Sequence, residues 1–411
     1  MRIAMVSEHA SPLAVLGGAD AGGQNVHVAA LSAALAARGH DVRVYTRRDS
    51  LHLDEQVPLC AGVDVVHVPA GPPEPLAKDE LLPFMPAFGR WLAEQWDDGW
   101  QPDVVHAHFW MSGVAAHEAR RTLPVPTLQT FHALGSVKRR HQGSHDTSPR
   151  NRIGIEARLA RDSDLVVATC SDEVAELELL GVPLERVTVV PCGVDTAHFT
   201  PHGPTGAGLA RLRHGRRFRP RLLSLGRMVE RKGVATAIEA LALVPEAELV
   251  VAGGPPVHEL DHDAEAVRLR RLAERHGVAG RVRFIGQVSQ EEVPALIRSA
   301  DVVVTTPWYE PFGIVPLEAM ACGRPLVGSA VGGLLDSVED GVTGLLVPPQ
   351  DPQAVAEAVT WLLADPRRRQ RIGSAARERA VQRYDWHRVA EATEHVYQRV
   401  ADTATLAVEA L

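Results

Sequence analysis

Lysine is nearly missing from this sequence. Of 43 basic residues only Lys78, Lys138 and Lys232 are lysines. Where arginine supplies almost all the positive charge, a remaining lysine is a candidate for work that needs a compact ammonium, such as contact with a phosphate. Cysteine is also scarce: Cys60, Cys170, Cys192 and Cys322 stand far apart with no Cys-x-x-Cys pair. That excludes a zinc ribbon or a disulfide framework and fits reduced core thiols in a cytoplasmic protein. Uninterrupted apolar runs of 18 residues are absent, so no membrane-spanning helix is expected. The opening apolar run is broken by Glu8 and His9 and reads as a first strand, not as a signal sequence. With 43 Lys and Arg against 51 Asp and Glu, the chain lacks the positive excess of a general nucleic-acid binder.

The 411 residues exceed an ordinary single domain, so two domains are the default. Apolar strands alternate with helical stretches. The first series has strands at 3–7, 42–46, 63–68, 104–107, 127–130, 165–169 and 187–190, with helices at 24–38, 81–97 and 152–162. Strands apolar on both faces belong to parallel sheets covered by helices on both sides. Residues 193–220, rich in Gly, Pro and Arg, break the rhythm and read as a linker with an exposed first segment. A second series follows, with strands at 222–225, 249–252, 282–285, 302–305, 326–327 and 345–347. Its helices fall at 234–243, 264–276, 291–299 and 316–322, and three more close the chain at 353–364, 367–383 and 386–400. The expectation is two doubly wound domains, with a ligand in the cleft between them.

Three stretches carry the chemistry. Residues 308–325 place Glu310 and Glu318 around a strand-to-helix turn, and the N–H groups of Gly313, Ile314 and Val315 at the helix start suit an anion. Carboxylates for hydroxyls beside amides for phosphate would fit a phosphorylated polyhydroxyl ligand. Residues 224–233 end a strand at Gly226 and set Arg227 and Lys232 on either side of a short loop, a cationic clamp for a diphosphate leaving group. Residues 17–25 are glycine-rich before the first helix, but they lie too far from the first strand, and are spaced wrongly, for a dinucleotide-binding fingerprint. A nicotinamide enzyme is disfavoured.

Gly22-Gly23, Arg227 with Lys232, and the pair Glu310 and Glu318 together resemble the retaining nucleotide-sugar glycosyltransferases of family four, over essentially the whole chain. Residues 22–26, 78–81, 106–113 and 131–138 are similar to the inositol-phosphate glycosyltransferases of mycothiol synthesis and to the sucrose-phosphate synthases. The resemblance implies an α/β GT-B fold: two Rossmann-like parallel-sheet domains facing across a cleft. It divides the chain into an acceptor domain at 1–200, a donor domain at 201–385 and a C-terminal helix at 386–411 returning to the first domain.

It also implies roles. Arg227 and Lys232 would hold the diphosphate, Glu318 the ribose and Glu310 the sugar hydroxyls. Gly22, Gly23, Phe312, Gly313, Ile314 and Val315 would complete the cradle, Gln287 and Val288 would hold the base through their main chain, and His132 would touch the donor sugar. His132, Arg227, Lys232 and Glu310 are the catalytic candidates. Retention would proceed on one face, with the departing phosphate taking the acceptor's proton, so no glycosidase-type carboxylate pair is needed. On the acceptor side, Asn25, Lys78 and Arg152 match the inositol-phosphate enzymes, whereas Phe109 and Ala133 stand where those have a tyrosine and a threonine. A phosphorylated cyclitol is therefore less favoured as acceptor, and a neutral or amino polyol, a cyclitol, a sugar or another small secondary metabolite is a comparable candidate.

The expected activity is transfer from a nucleotide diphosphate sugar, UDP-sugar favoured and GDP-sugar left open, to a small soluble acceptor, without metal or other cofactor. The alternatives are a nucleotide-sugar epimerase, a phosphorylase, which would need pyridoxal phosphate, and a non-catalytic sugar-nucleotide sensor. Partners beyond donor and acceptor are not required; a homodimer stays open. His106 and His108 lack a third metal ligand, and Asp261 to Asp263 reads as a helix cap. The aromatic helix around Phe84, Phe88, Trp91 and Trp96 reads as core, so membrane contact is disfavoured.

Overall fold

In the computed structural model, which describes residues 1–14, 22–97, 99–206 and 208–409, the side chains of 213 and 404–409 excepted, the chain forms two units. One comprises Met1–Cys192 with Trp386–Leu411, the other Gly193–Asp385.

The first unit runs β1 (Arg2–Val6), α1 (Gly23–Ala36), β2 (Asp41–Arg47), β3 (Gln56–Cys60), β4 (Val63–Val68), α2 (Met85–Asp97) and β5 (Val104–His108). It continues with α3 (Trp110–Arg120), β6 (Thr127–Thr130), α4 (Gly135–Gln142), α5 (Arg152–Asp162), β7 (Leu165–Ala168), α6 (Ser171–Leu179) and β8 (Val187–Val189). The sheet order is β3-β4-β2-β1-β5-β6-β7-β8, parallel except for the edge strand β3. Because β2 and β5 flank β1 on opposite sides, the strand order reverses there. The carboxyl ends of β1 and β5 therefore border the crevice where open sheets bind ligands. The strands at the centre are buried on both faces; every residue of β5, β6 and β7 is buried. The aromatic helix α2 packs Phe88, Leu92 and Trp96 into the core.

The second unit opens with a two-stranded antiparallel hairpin, β9 (Arg213–His214) and β10 (Arg217–Phe218). It continues with β11 (Arg221–Leu225), α7 (Val234–Ala242), β12 (Glu248–Ala252), α8 (Ala264–Arg275), β13 (Val282–Gly286), α9 (Val293–Ser299) and β14 (Val302–Thr305). Then come α10 (Ile314–Ala321), β15 (Leu326–Ser329), α11 (Gly333–Ser337), β16 (Leu345–Val347), α12 (Pro352–Ala364) and α13 (Pro366–Arg379). Its sheet is wholly parallel in the order β13-β12-β11-β14-β15-β16. Here the reversal lies between β11 and β14.

The last helix, α14 (Trp386–Glu409), belongs to the first unit. Its buried residues Trp386, Val389, Ala390, Thr393, Tyr397 and Val400 recur at helical spacing, an apolar stripe laid on α1. Arg38 and His40 bind Glu394, the histidine through Nε2 at 3.0 Å, and hold the helix there.

Residues 193–220 do more than link. Val194 and Phe199 are buried in the second core, the Val194 N–H donates to the Tyr384 carbonyl (2.7 Å), and β9 and β10 occupy the basic stretch. The contact boundary therefore falls at Cys192/Gly193, a little before residue 200. Cys60 is exposed on the edge strand, whereas Cys170, Cys192 and Cys322 are buried. No helix among the described residues is long and apolar enough to cross a membrane.

Candidate functional site

In the second unit the two loops flanking the reversal point meet. The loop after β11 carries Arg227, Arg231 and Lys232; the loop after β14 carries Tyr309 and Glu310. Their backbones are stitched by the Trp308 N–H to the Arg231 carbonyl (2.8 Å) and by Thr306 Oγ1 to the Gly233 carbonyl (2.8 Å). The result brings Lys232 Nζ onto the Glu310 carboxylate, both partly buried.

Electrostatics at this pair is lopsided. Burial would raise the Glu310 carboxyl, but Lys232, Arg231 and the Gly313 N–H outweigh it and hold it below its ordinary value. Burial lowers the Lys232 ammonium, and Arg231 and Arg227 push the same way against Glu310. Three cations around one carboxylate leave net positive charge, which is what an incoming anion needs. The Arg231 guanidinium lies 5.1 Å from the Tyr309 ring centre, and its Nη1 is buried with no hydrogen-bond partner among the described residues.

The Glu310 main chain is fixed as well, its carbonyl accepting from the Gly333 N–H at 2.9 Å. Gly313, at φ +74°, caps α10, so Phe312 to Val315 form the turn into that helix. Glu318 lies one turn along, 7% exposed; burial pushes its carboxyl up to about 8, opposed by a hydrogen bond with Gln290 from the loop after β13. That loop also holds Gln287, whose N–H donates to the Pro255 carbonyl (3.1 Å), and Val288, which packs on the core. The Asp261 to Asp263 stretch is committed elsewhere: Asp263 caps α8 through the Ala266 N–H (2.8 Å), and Asp261 pairs with Arg270.

In the first unit, Phe109 and His132 follow the adjacent strands β5 and β6 with φ of +83° and +61°. Left-handed backbone at two bulky residues is strain of the kind that gathers at ligand sites. The Phe109 ring centre is 5.0 Å from Lys78 Nζ and 5.1 Å from the Arg152 guanidinium. Arg152 is itself held by Glu156 (2.7 Å), Ser148 (3.2 Å) and the Ala133 carbonyl. Four of the acceptor candidates, Lys78, Phe109, Ala133 and Arg152, thus form one cluster.

The fifth, Asn25, serves the backbone: its Oδ1 accepts from the Gly22 N–H (3.0 Å) and its Nδ2 donates to the Ser11 carbonyl (2.9 Å). Gly22 precedes α1 and Gly23 is its first residue; the glycine-rich residues 17–21 lie outside the described residues.

His132 Nε2 sits 2.9 Å from His108 Nδ1, and His27 and His106 complete a buried imidazole group. Burial lowers all four, His27 to about 4 and His106 to about 3, so they stay neutral. Among the described residues no group of three or more His, Cys, Asp or Glu is arranged to hold a metal.

Both halves of the chain match known families. The description "Glycosyltransferase Family 4" fits residues 21–198 and "Glycosyl transferases group 1" fits residues 216–379. The D-inositol 3-phosphate glycosyltransferase of Xylanimonas cellulosilytica is 40% identical over 408 residues, 96% of each chain. The D-inositol 3-phosphate glycosyltransferase 2 of Catenulispora acidiphila is 38% identical over 97% of this chain and 95% of its own. The chain belongs to glycosyltransferase family 4. Sucrose-phosphate synthase of Thermosynechococcus elongatus superimposes with a TM-score of 0.86 at 30% identity, covering 98% of this chain and 99% of its own. Anabaena HepE, solved with UDP and glucose, shares the fold at a TM-score of 0.74 and 21% identity, over 97% and 99%. The protein is a transferase of GT-B fold.

Sequence reasoning passes over several residues of this family 4 glycosyltransferase. Arg231 hides beside Lys232 in what reads as an ordinary basic run. Glu8 and His9 register only as polar residues ending a strand. In the structure they sit at the carboxyl end of β1, with Glu8 buried against Ser112 and bonded to His9 Nδ1 at 2.8 Å. The His9 ring lies edge-on to Phe109 at 4.9 Å. Position after β1, the reversal strand, is the signal that marks them.

Proposed function

We propose that this glycosyltransferase moves a sugar from a nucleotide diphosphate sugar, a UDP-sugar in first place, to a small soluble polyol, cyclitol or sugar, with retention of configuration. The contact of Lys232 with Glu310 at the reversal point of the second sheet carries the proposal. It sets a cation-rich anion site against a carboxylate able to accept from sugar hydroxyls, and Glu318, one turn further on, suits the ribose.

In the transfer, the bond from the anomeric carbon to the phosphate oxygen breaks and a bond to an acceptor hydroxyl forms on the same face. The acceptor's proton goes to the departing phosphate oxygen. Charge grows on the diphosphate as the bond breaks, so Arg227, Arg231 and Lys232 stabilise the transition state more than the ground state. Glu310 accepts from sugar hydroxyls and orients the ring. Support for UDP comes from HepE, whose structures hold UDP and UDP-glucose. Support for a polyol acceptor comes from the inositol phosphate named for the relatives. The Phe109 cluster, with two cations at the ring and no added hydroxyl, leaves a phosphorylated and a neutral polyol both admissible.

A thermal-shift screen with UDP, GDP, ADP and their sugars tests this. A ligand that binds only the folded state raises Tm in proportion to its affinity. UDP and a UDP-sugar should raise it most, and Lys232→Ala should remove the rise. If no nucleotide shifts the wild-type protein, the proposal is wrong.

A further inference from the structure

Lys138 is the one lysine that the proposed transfer leaves unused. It projects from α4, a helix anchored toward both ends. At the helix start the Gly135 N–H donates to Glu156 (2.8 Å), and a β-carbon there would lie 3.1 Å from Arg152 Nε. Further along, Arg140 grips Glu176 through two nitrogens at 2.7 and 2.9 Å. From this fixed post Lys138 Nζ reaches Asp146 Oδ1 (3.0 Å) and Ser148 Oγ (2.8 Å). Burial would raise the Asp146 carboxyl, but the Ser148 N–H and Lys138 hold it below its ordinary value, so it stands ionised against the ammonium. A compact ammonium with three donors can serve two such neighbouring acceptors at once.

Residues 146–148 pass that grip to both cations at the Phe109 ring. Thr147 Oγ1 donates to Asp79 (2.6 Å), the neighbour of Lys78 in the turn Lys78–Glu80. Ser148 Oγ accepts from Arg152 Nη1 at 3.2 Å as well as from Lys138. Neither cation can accept in return, so this one oxygen joins the two. We infer that Lys138 is a positioning residue: through Asp146, Thr147 and Ser148 it sets Arg152 and the Lys78 turn against the Phe109 ring. Lys138 spends its donors on the protein and touches no substrate. Its effect on acceptor binding rests on the proposed function, with the acceptor at the Phe109 cluster; its effect on Arg152 does not.

The direct test is 1H–15N correlation spectroscopy on the full chain labelled with 15N-arginine. The Arg152 Nε–H signal is picked out from the other arginines by its loss in Arg152→Lys. Lys138→Met keeps the aliphatic stem and removes the charge; the Arg152 signal should shift and its proton exchange about tenfold faster. Ser148→Ala cuts the same link without touching either cation and should do likewise, and the two changes together should add little to either alone. An Arg152 signal unchanged in both variants, or effects that simply add, overturns the inference. In turnover with the UDP-sugar that the thermal-shift screen selects and an inositol phosphate as acceptor, Lys138→Met should raise the acceptor KM about tenfold and leave kcat within about twofold. A fall in kcat at unchanged acceptor KM overturns the positioning role. If Arg152 moves while neither constant changes, or while the wild type turns over no nucleotide sugar, the grip on Arg152 stands and the proposed acceptor site or the proposed function falls.

Discussion

A β-carbon on Gly233 would lie 1.7 Å from the carbonyl oxygen of Thr306. Gly233 also sits at φ +69°, in the left-handed region, where it ends the turn carrying Lys232 and begins α7. The two loops that carry Lys232 and Glu310 can close on each other only because this position has no side chain. Gly233→Ala should therefore destabilise the protein by at least about 2 kcal/mol, the sum of left-handed strain and a backbone clash. Urea denaturation measures it. A change within about 0.5 kcal/mol would show that the loops do not depend on this approach.

Lys232→Ala tests the cation at the centre of that site. Loss of one preorganised electrostatic partner of a developing charge costs about 10²- to 10³-fold in kcat. The stability effect has a defined pH course. Glu310 is held below its ordinary value of 4.5 in the folded state, so its contribution is present above about 4.5 and lost as pH falls further. Without Lys232 that contribution shrinks. The stability gap between wild type and variant should be widest near neutrality and narrow below about pH 4.5. A gap independent of pH would mean the ion pair is not what the substitution removed.

Glu318 gives a binding prediction with the opposite sign. Its folded value of about 8 means the carboxyl of the free protein is largely protonated at neutral pH. Ribose hydroxyls donate best to the carboxylate, so nucleotide binding should release a proton and strengthen as pH rises toward about 8. Calorimetric titration of UDP at pH 6.5, 7.5 and 8.5, in buffers of different ionisation enthalpy, reads both the affinity and the proton. Glu318→Gln should bind more weakly and lose the pH dependence; an unaltered pH profile would remove the carboxyl from the proposed ribose contact.

The imidazole group makes the first unit sensitive to acid. Folded values of about 4 for His27 and about 3 for His106 lie below the unfolded value of 6.5. Unfolding therefore takes up protons below about pH 6.5, and each ring weakens the fold by roughly 1.4 kcal/mol per pH unit until its folded value is reached. Stability from urea titrations at pH 7, 6 and 5 should fall accordingly. His106→Gln should flatten the slope by one ring's share, whatever it costs at pH 7; an unchanged slope would count against neutral burial.

The alternation of apolar strands with helices makes the paired sheets legible, because strands buried on both faces, such as β5 and β7, cannot be mistaken for half-exposed ones. The turn around Glu310 is legible for the same reason: a strand, a glycine and a helix follow in direct succession. What spacing does not supply is contact. Lys232 and Glu310 are 78 residues apart, and only the reversal between β11 and β14 brings them together. The hairpin β9–β10 is concealed by glycine and arginine, whose composition says linker while Val194 and Phe199 nearby say core. Asn25 has the residue type of a ligand contact, but its neighbours Gly22 and Ser11 use both ends of its amide, and that depends on loop geometry rather than on spacing.

The proposed acceptor choice rests on the cluster at Phe109. Lys78 and Arg152 lie about equally far from its ring, at 5.0 and 5.1 Å, and Arg152 also binds the Ala133 carbonyl, so main chain and cations are held independently of the two missing hydroxyls. Phe109→Tyr with Ala133→Thr adds those hydroxyls to a positive setting. A hydrogen bond to a charged group contributes about 1.5–3 kcal/mol, and each 1.4 kcal/mol is tenfold. The double variant should therefore raise kcat/KM for an inositol phosphate by about tenfold or more while leaving a neutral polyol within about twofold. Competition between the two acceptors in one reaction reads the ratio directly. Equal gains for both would mean the hydroxyls act on the loop and not on a phosphate. No gain for either would place the acceptor away from Phe109 altogether.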